Sequence, residues 1–361
     1  MFNNDNTAWK EGAYPLFLGQ EPALNDTINK TYPKIFELYK LQKSIDWSET
    51  EVRLDKDCTD MTTVPDAARE LMIENLMYQW EADSVASRSI AGLFAPFVTN
   101  PELWDAWVKI TEIENLHALT YSEIVRQCIP SPDEIFKRVM HNPHLQHRLH
   151  VIGEAFSELR VAGAKYVLGL ITKEEAYPIV MNAVVALYCL ERLQFMASFA
   201  NTFGVVEATQ SFMGIAYLVA KIMQDERWVH ARVGEEIIRI ELATERGSQW
   251  WVKNRETIKK MLDEVRNREY TFNTYLASKN WQVSGYNKKV ADEWVDWNAA
   301  DVYKTLGINV EFDVPSHNPL RYMDDWLNID KFQTANQETD NVNYVLNSVI
   351  DDVTEETIFV V

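Results

Sequence analysis

The chain is short of the features that mark a disulfide-stapled, loop-built or nucleic-acid-binding protein. Its 361 residues hold three cysteines, Cys58, Cys128 and Cys189, and no Cys-x-x-Cys pair. An odd, scattered set of this kind reads as reduced, intracellular thiols rather than a disulfide framework. Twelve glycines and twelve prolines are too few for a loop-rich sandwich or a low-complexity chain. Basic charge is scarce too, with 35 Lys and Arg against 54 Asp and Glu and a formal net charge of −19. Phosphate backbones are gripped by Lys and Arg, so no nucleic acid partner is expected. The opening "MFNNDNTAWKEGAYPLF" lacks a basic segment followed by an apolar run, so no secretory signal is read there. The most apolar window, "YPIVMNAVVALYCLERLQF", is interrupted by Asn182, Glu191 and Arg192. It is too short and broken to span a bilayer, so no membrane partner is expected and the location is taken as cytoplasmic.

What the chain does have is helical period. Hydrophobic residues make up 47% of it, enough for one large core, although length alone would allow two domains. From about residue 65 to 305 the apolar residues recur at helical spacing with few breakers. Helices are expected from Pro65 to Phe94, from Pro101 to just before Pro130, and from Asn142 to about Leu170. Thr172-Lys173-Glu174-Glu175 has the form of a capping box opening a helix that runs to Gly204. Further helices are expected over about 206–244, 250–279 and 286–305. Long helices with short links fit an all-α antiparallel bundle, not alternating βαβ units.

The ends differ from this body. Residues 1–64 read as an N-terminal arm with a short helix around Lys34–Gln42 and an irregular stretch through Trp47. Residues 1–330 are taken as one domain, and 331–361 as a flexible acidic C-terminal tail. The tail sequence "QTANQETDNVNYVLNSVIDDVTEETIFVV" has no Lys or Arg and no clear apolar stripe. Its apolar tip, "IFVV", has the character of a docking peptide that gains by burial on a partner.

Carboxylates inside apolar helices are costly unless something pairs with them. Asp83 lies in "YQWEADSVASRS", Glu114 and His117 in "TEIENLHALTYSEIV", Glu191 in "LYCLERLQFMASF", and Glu226 and His230 in "AKIMQDERWVHARVGEE". Singly, each reads as a solvated face or a satisfied core residue. Together they give two similar halves, each a carboxylate helix followed by a Glu-plus-His helix, with 31 residues from Asp83 to Glu114 and 35 from Glu191 to Glu226. Four carboxylates and two imidazoles are the ligand set with which a ferritin-like helical bundle holds a dinuclear metal site of iron or manganese. Four negative charges offset two divalent cations, which makes such a site tolerable when buried.

The halves are not identical. Glu114 and His117 are three apart, but Glu226 and His230 are four apart. A step of three turns a regular helix about 300° and a step of four about 400°, which would misaim His230. A π-bulge absorbs one residue and would bring it back. Tyr121 lies one turn beyond His117 on the same face, and Phe195, Phe199 and Ile222 are placed to enclose it. Ordinary core packing accounts for the apolar residues equally well. A dry pocket around an oxidisable phenol beside metals also suits a long-lived radical.

At these residues the sequence resembles the small, radical-bearing β subunit of class I ribonucleotide reductase. "ADSVASRS", "EIENLHALTYSEIVR", "LERLQFMASFANTF" and "IMQDERWVH" resemble that family's metal-site segments in order, and "EYTFNTYLASKNWQVSGYNKKV" and "HNPLRYMDDWL" its later helices. The resemblance implies a ferritin-like fold with metal ligands Asp83, Glu114, His117, Glu191, Glu226 and His230. It implies two iron ions, with dimanganese or a mixed Mn/Fe pair left open, and dioxygen or another oxidant. It also implies Tyr121 as the radical site, Trp47 as an electron-hole carrier bonded to Asp225, and Tyr344 as the relay to a large catalytic subunit. A homodimer is implied, with "IFVV" docking the large subunit and ribonucleotides reduced to deoxyribonucleotides there. The four-residue step to His230 departs from the family's Glu-x-x-His. A stand-alone diiron oxidase or oxygenase would keep the metal site but give Tyr121, Trp47 and Tyr344 no joint role. A storage or structural bundle would need no tyrosine at 121.

Overall fold

The computed structural model describes residues 3–328. Among these there is no strand, only the isolated bridges Phe17–Val98 and Val283–Tyr286. A single turn, α1 (Ala8–Glu11), and α2 (Pro33–Ser44) form the N-terminal arm, followed by α3 (Asp55–Thr63). The bundle then runs through α4 (Asp66–Phe94), α5 (Pro101–Cys128), α6 (Pro132–His141) and α7 (Pro143–Val167). Next come α8 (Lys173–Cys189), α9 (Phe195–Thr209), α10 (Met213–Asp225) and α11 (Ala231–Leu242). The chain closes with α12 (Glu245–Ser278), α13 (Lys288–Thr305) and α14 (Tyr322–Trp326). Two π-helical turns interrupt the pattern: Leu190–Gln194 joins α8 to α9, and Glu226–His230 joins α10 to α11.

Local chemistry explains the starts. The Thr172 hydroxyl accepts from the Glu175 N–H, and Glu175 reaches back to the Thr172 N–H, so the expected capping box opens α8. Asn100 caps α5 by accepting from Leu103 N–H, with Pro101 in the first turn. The helix expected over 206–244 is in fact broken. Gln210 and Phe212 sit at φ 52° and 63°, in the left-handed region. Two carboxylates of α3 hold the break: Asp60 accepts from Phe212 N–H at 2.8 Å and Asp57 from Ile215 N–H at 2.9 Å. They serve the N-terminus of α10 with acceptors and negative charge, which offsets the backbone strain.

Other boundaries also differ from expectation. The sequence reading placed no helix at α3 or α6. The helix expected from 250 begins at Glu245, where Thr244 accepts from Gly247 N–H. The segment Lys173–Thr209 is, by length and composition, long and apolar enough to cross a membrane, but 89% of its apolar window is buried inside the fold. It is the central core helix.

One continuous apolar core joins these elements. Leu71, Ile90, Ile124, Phe199 and Val219 are all within 1% of complete burial; side chains of this size contribute about 1.5–3 kcal/mol each. Helix α4 packs along α5 and α9, α10 along α9, and α2 across α5. The inward faces of α4, α5 and the two π turns therefore converge.

Candidate metal centre

Asp83 projects from α4, Glu114 and His117 from α5, Glu191 from the first π turn, and Glu226 and His230 from the ends of the second. None is more than 3% exposed. Their ligand atoms form two overlapping quartets: Asp83, Glu114, His117 and Glu226, and Glu114, Glu191, Glu226 and His230. Within each quartet the atoms lie within 4.8 Å of one another, and Glu114 and Glu226 belong to both. His117 Nδ1 stands 3.0 Å from Glu226 Oε1, and His230 Nδ1 3.0 Å from both Glu114 Oε1 and Glu226 Oε2. All six expected ligands are thus brought together.

The donor set fits a pair of divalent cations. Both oxygens of Asp83, Glu114 and Glu191 are buried without a hydrogen-bond partner, as are Glu226 Oε1 and His117 Nδ1. A buried polar atom left unpaired costs about 1–3 kcal/mol, and more when charged. Four carboxylates facing inward need positive charge, and protons alone supply it poorly. The titration behaviour reflects this strain. Burial pushes Asp83 and Glu191 well above the carboxylate range, assisted by Glu114 for Asp83 and by Glu226 for Glu191. Burial works against charging the imidazoles, yet Asp225, Glu114 and Glu226 hold His117 well up, and Glu226 and Glu114 hold His230 at about 10.

The irregular spacing of the second half is resolved by the backbone. On a regular helix the step of four would carry His230 about 100° further round than the three-residue step carries His117, but the π turn spans Glu226–His230 and absorbs that extra residue, leaving His230 Nδ1 3.0 Å from Glu226 Oε2. The first π turn, which carries Glu191, was not anticipated. No glycine, proline or spacing anomaly in "LERLQ" announces it.

Tyr121 is fully buried on α5, and its hydroxyl has no partner. Burial pushes its pKa far up, with Asp83 the strongest neighbouring charge. Phe195, Phe199 and Ile222 are buried as expected, and the two Phe rings stack at 5.8 Å. A small cavity of about 10 Å³, room for about one water, touches Glu191 and His230 between Ile110, Val184 and Ile237.

A polar chain leads outward. Asp225, one residue before Glu226, takes His117 Nε2 at 3.1 Å and Trp47 Nε1 at 2.7 Å on the same oxygen, Oδ2. The Trp47 ring lies stacked 6.0 Å from the His117 ring. Trp47 is half-buried, not fully enclosed. Gln42, which sequence reasoning passed over, donates to Asp225 Oδ1 at 2.7 Å. Its place four residues after Leu38 on the inner face of α2 was the available signal. Also missed was the buried pair Arg148–Glu269, with Nε–Oε1 at 2.8 Å and Nη2–Oε2 at 2.5 Å. Gln194 of the first π turn donates to the same Glu269 at 3.0 Å, tying that turn to α12. Tyr344 and the terminal "IFVV" lie outside the described residues.

Residues 25–319 match the family model "Ribonucleotide reductase, small chain". A curated ribonucleoside-diphosphate reductase subunit beta from Buchnera aphidicola (subsp. Schizaphis graminum) is 25% identical, covering 95% of this chain and 94% of its own. The solved R2 subunit of ribonucleotide reductase from Clostridium botulinum superposes with a TM-score of 0.76 at 17% identity, covering 91% of this chain and 97% of its own. A variant of an R2-like ligand-binding oxidase with a reconstituted Mn/Fe cofactor gives 0.63 at 15% identity, covering 85% and 99%. These likenesses bear out the ferritin-like, all-α expectation.

Proposed function

Because the chain belongs to the ribonucleotide reductase small-chain family, we propose that it is the radical-generating subunit of that enzyme and that Tyr121 is its radical residue. The supporting observation is one continuous arrangement: a buried, unpartnered phenol beside six convergent ligands, with His117, Asp225 and Trp47 leading from the ligands toward the surface.

Asp83, Glu114, His117, Glu191, Glu226 and His230 hold the metals, with two iron ions as the first choice and dimanganese or a mixed Mn/Fe pair as alternatives, since oxygen and imidazole donors suit both. When bound, such a pair supplies, after reaction with dioxygen or another oxidant, the equivalent that removes one electron and one proton from Tyr121. The raised pKa keeps the phenol protonated at neutral pH, so electron and proton must leave together. The apolar surroundings exclude water from the product radical.

Asp225 orients both rings of the outward path. Its carboxylate fixes the His117 tautomer with Nε2–H outward and Nδ1 free for a ligand role. On docking of the large subunit, the hole passes through Trp47, and Tyr344 is assigned the next step toward the partner. The tip "IFVV" is assigned the docking contact. Val85, Trp104, Val108 and Leu119 on α4 and α5 stay exposed and support a homodimer through that face. A cytoplasmic location belongs to the same proposal.

A stand-alone oxidase is less well supported. The cavity touching Glu191 and His230 has about 10 Å³, against roughly 300 Å³ or more for small-molecule sites. The test is metal analysis with electron paramagnetic resonance on wild type and Tyr121→Phe. Both should hold two metals per chain, and only wild type should give a tyrosyl signal. A signal that survives in the variant overturns the assignment.

A further inference from the structure

Away from the metal centre, the chain builds an unexpectedly cationic recess. A cleft of about 610 Å³ lies between α2, α8, α11 and α13, lined by six Lys and Arg side chains against three carboxylates. In a protein of net charge −19, such a local excess is not a by-product of composition. The carboxylates are also largely engaged. Asp301 accepts from Arg192, and Glu236 from Arg239. Arg227, Arg232 and Lys304 have no ion pair among the described residues. Arg192 is only 5% exposed, and its other nitrogen, Nη1, donates to Asn298 Oδ1 at 2.5 Å. Arg232 is further fixed by the Trp228 ring, 4.8 Å from its guanidinium carbon. The recess therefore holds positioned, partly desolvated guanidinium groups with unspent donors.

Its size falls in the range of small-molecule sites, and guanidinium forks match phosphoryl oxygens in geometry and charge. Tyr188 and Leu38 add apolar wall. We propose that this cleft is a binding site for a phosphoryl anion of pyrophosphate or nucleoside-diphosphate size. Its placement gives the site a mechanical consequence. Arg192 follows the ligand Glu191 in the first π turn, and Arg227 follows the ligand Glu226 in the second. An anion bridging the two guanidinium groups ties together the two backbone turns that present those ligands.

The test is calorimetric titration of the metal-free full chain with pyrophosphate, ADP and inorganic phosphate. Glutamate serves as the carboxylate control, and chloride keeps ionic strength constant so that screening is matched. Pyrophosphate or ADP should bind saturably at one site per chain. Arg232→Ala and Lys304→Ala should each weaken binding at least tenfold with unchanged thermal unfolding. Saturation should slow amide hydrogen exchange at 190–194 and 226–230. Absence of saturable binding, equal affinity in both variants, or protection confined to other segments overturns the site. Glutamate binding as tightly as pyrophosphate overturns the phosphoryl class. None of these outcomes bears on Tyr121 or on the metals.

Discussion

Trp47 and Asp225 are 178 positions apart in sequence, yet the indole N–H donates to the carboxylate at 2.7 Å. The same oxygen lies 3.1 Å from His117 Nε2, so one carboxylate joins the Trp47 ring to a residue of the candidate metal quartet. Asp225→Asn keeps the shape but offers only one acceptor to three donors, because Gln42 also binds there. Outer partners of metal-bound imidazoles are worth about 10–100-fold in affinity or activity. The variant should retain a tyrosyl signal of at least a third of the wild-type yield while ribonucleotide reduction with the large subunit falls more than tenfold. Equal activity would remove Asp225 from the path.

Tyr121→Phe should cost no stability. The hydroxyl is fully buried without a partner, and an unpaired buried polar atom is a burden of about 1–3 kcal/mol. Urea unfolding of the metal-free variant should show an equal or higher midpoint. An unfolding free energy lower by more than about 1 kcal/mol would mean that the Tyr121 hydroxyl makes a stabilising hydrogen bond.

Metal uptake should expel protons, and more tightly as pH rises. Asp83 and Glu191 are held protonated by burial, and His117 and His230 are held charged, His230 up to about 10. Each must lose its proton to bind a cation. All four have folded pKa values above their unfolded ones. Their contribution to the metal-free fold is therefore fully present at low pH. It fades as pH rises past the unfolded values near 4 for the carboxylates and 6.5 for the imidazoles. The melting temperature of chelator-treated protein should fall between pH 5.5 and 9, and metal should restore most of the loss at pH 9. Calorimetry in two buffers of different ionisation enthalpy counts the protons released. A count of zero would contradict the charge state of the cluster.

The bundle and the ligand set were legible because both rest on short-range periodicity. Glu114 and His117 share a face by spacing alone, and the Glu226–His230 step flagged its own π turn. What escaped depends on partners distant in sequence. Gln210 and Phe212 break a helix without glycine or proline, and only Asp57 and Asp60, some 150 residues earlier, make that break tolerable. Helix α3 itself, "DKDCTDMTT", is poor in helix formers and is held by that same capping. Gln42 and Gln194 look like ordinary polar residues until the fold sets them against Asp225 and Glu269. Pro132 followed by Asp133 and Glu134 did announce α6, and there the signal was present.

The Arg148–Glu269 pair should prove the most sensitive structural element near the site. Both side chains are 1% exposed, and the guanidinium also lies 3.5 Å from the Tyr78 ring centre and 4.4 Å from that of Phe272. Glu269→Gln leaves a buried cation with aromatic faces but no counter-charge. Breaking one partner of a buried pair typically costs about 3–5 kcal/mol, whereas replacing both by apolar residues of similar volume is often neutral. Because Glu269 also accepts from Gln194 in the turn that carries Glu191, the single variant should in addition bind its second metal more weakly. The double replacement Arg148→Met with Glu269→Leu should recover most of the unfolding midpoint but not that metal affinity. Recovery of both would show that the pair acts only through its charge, and loss of both that it acts through packing.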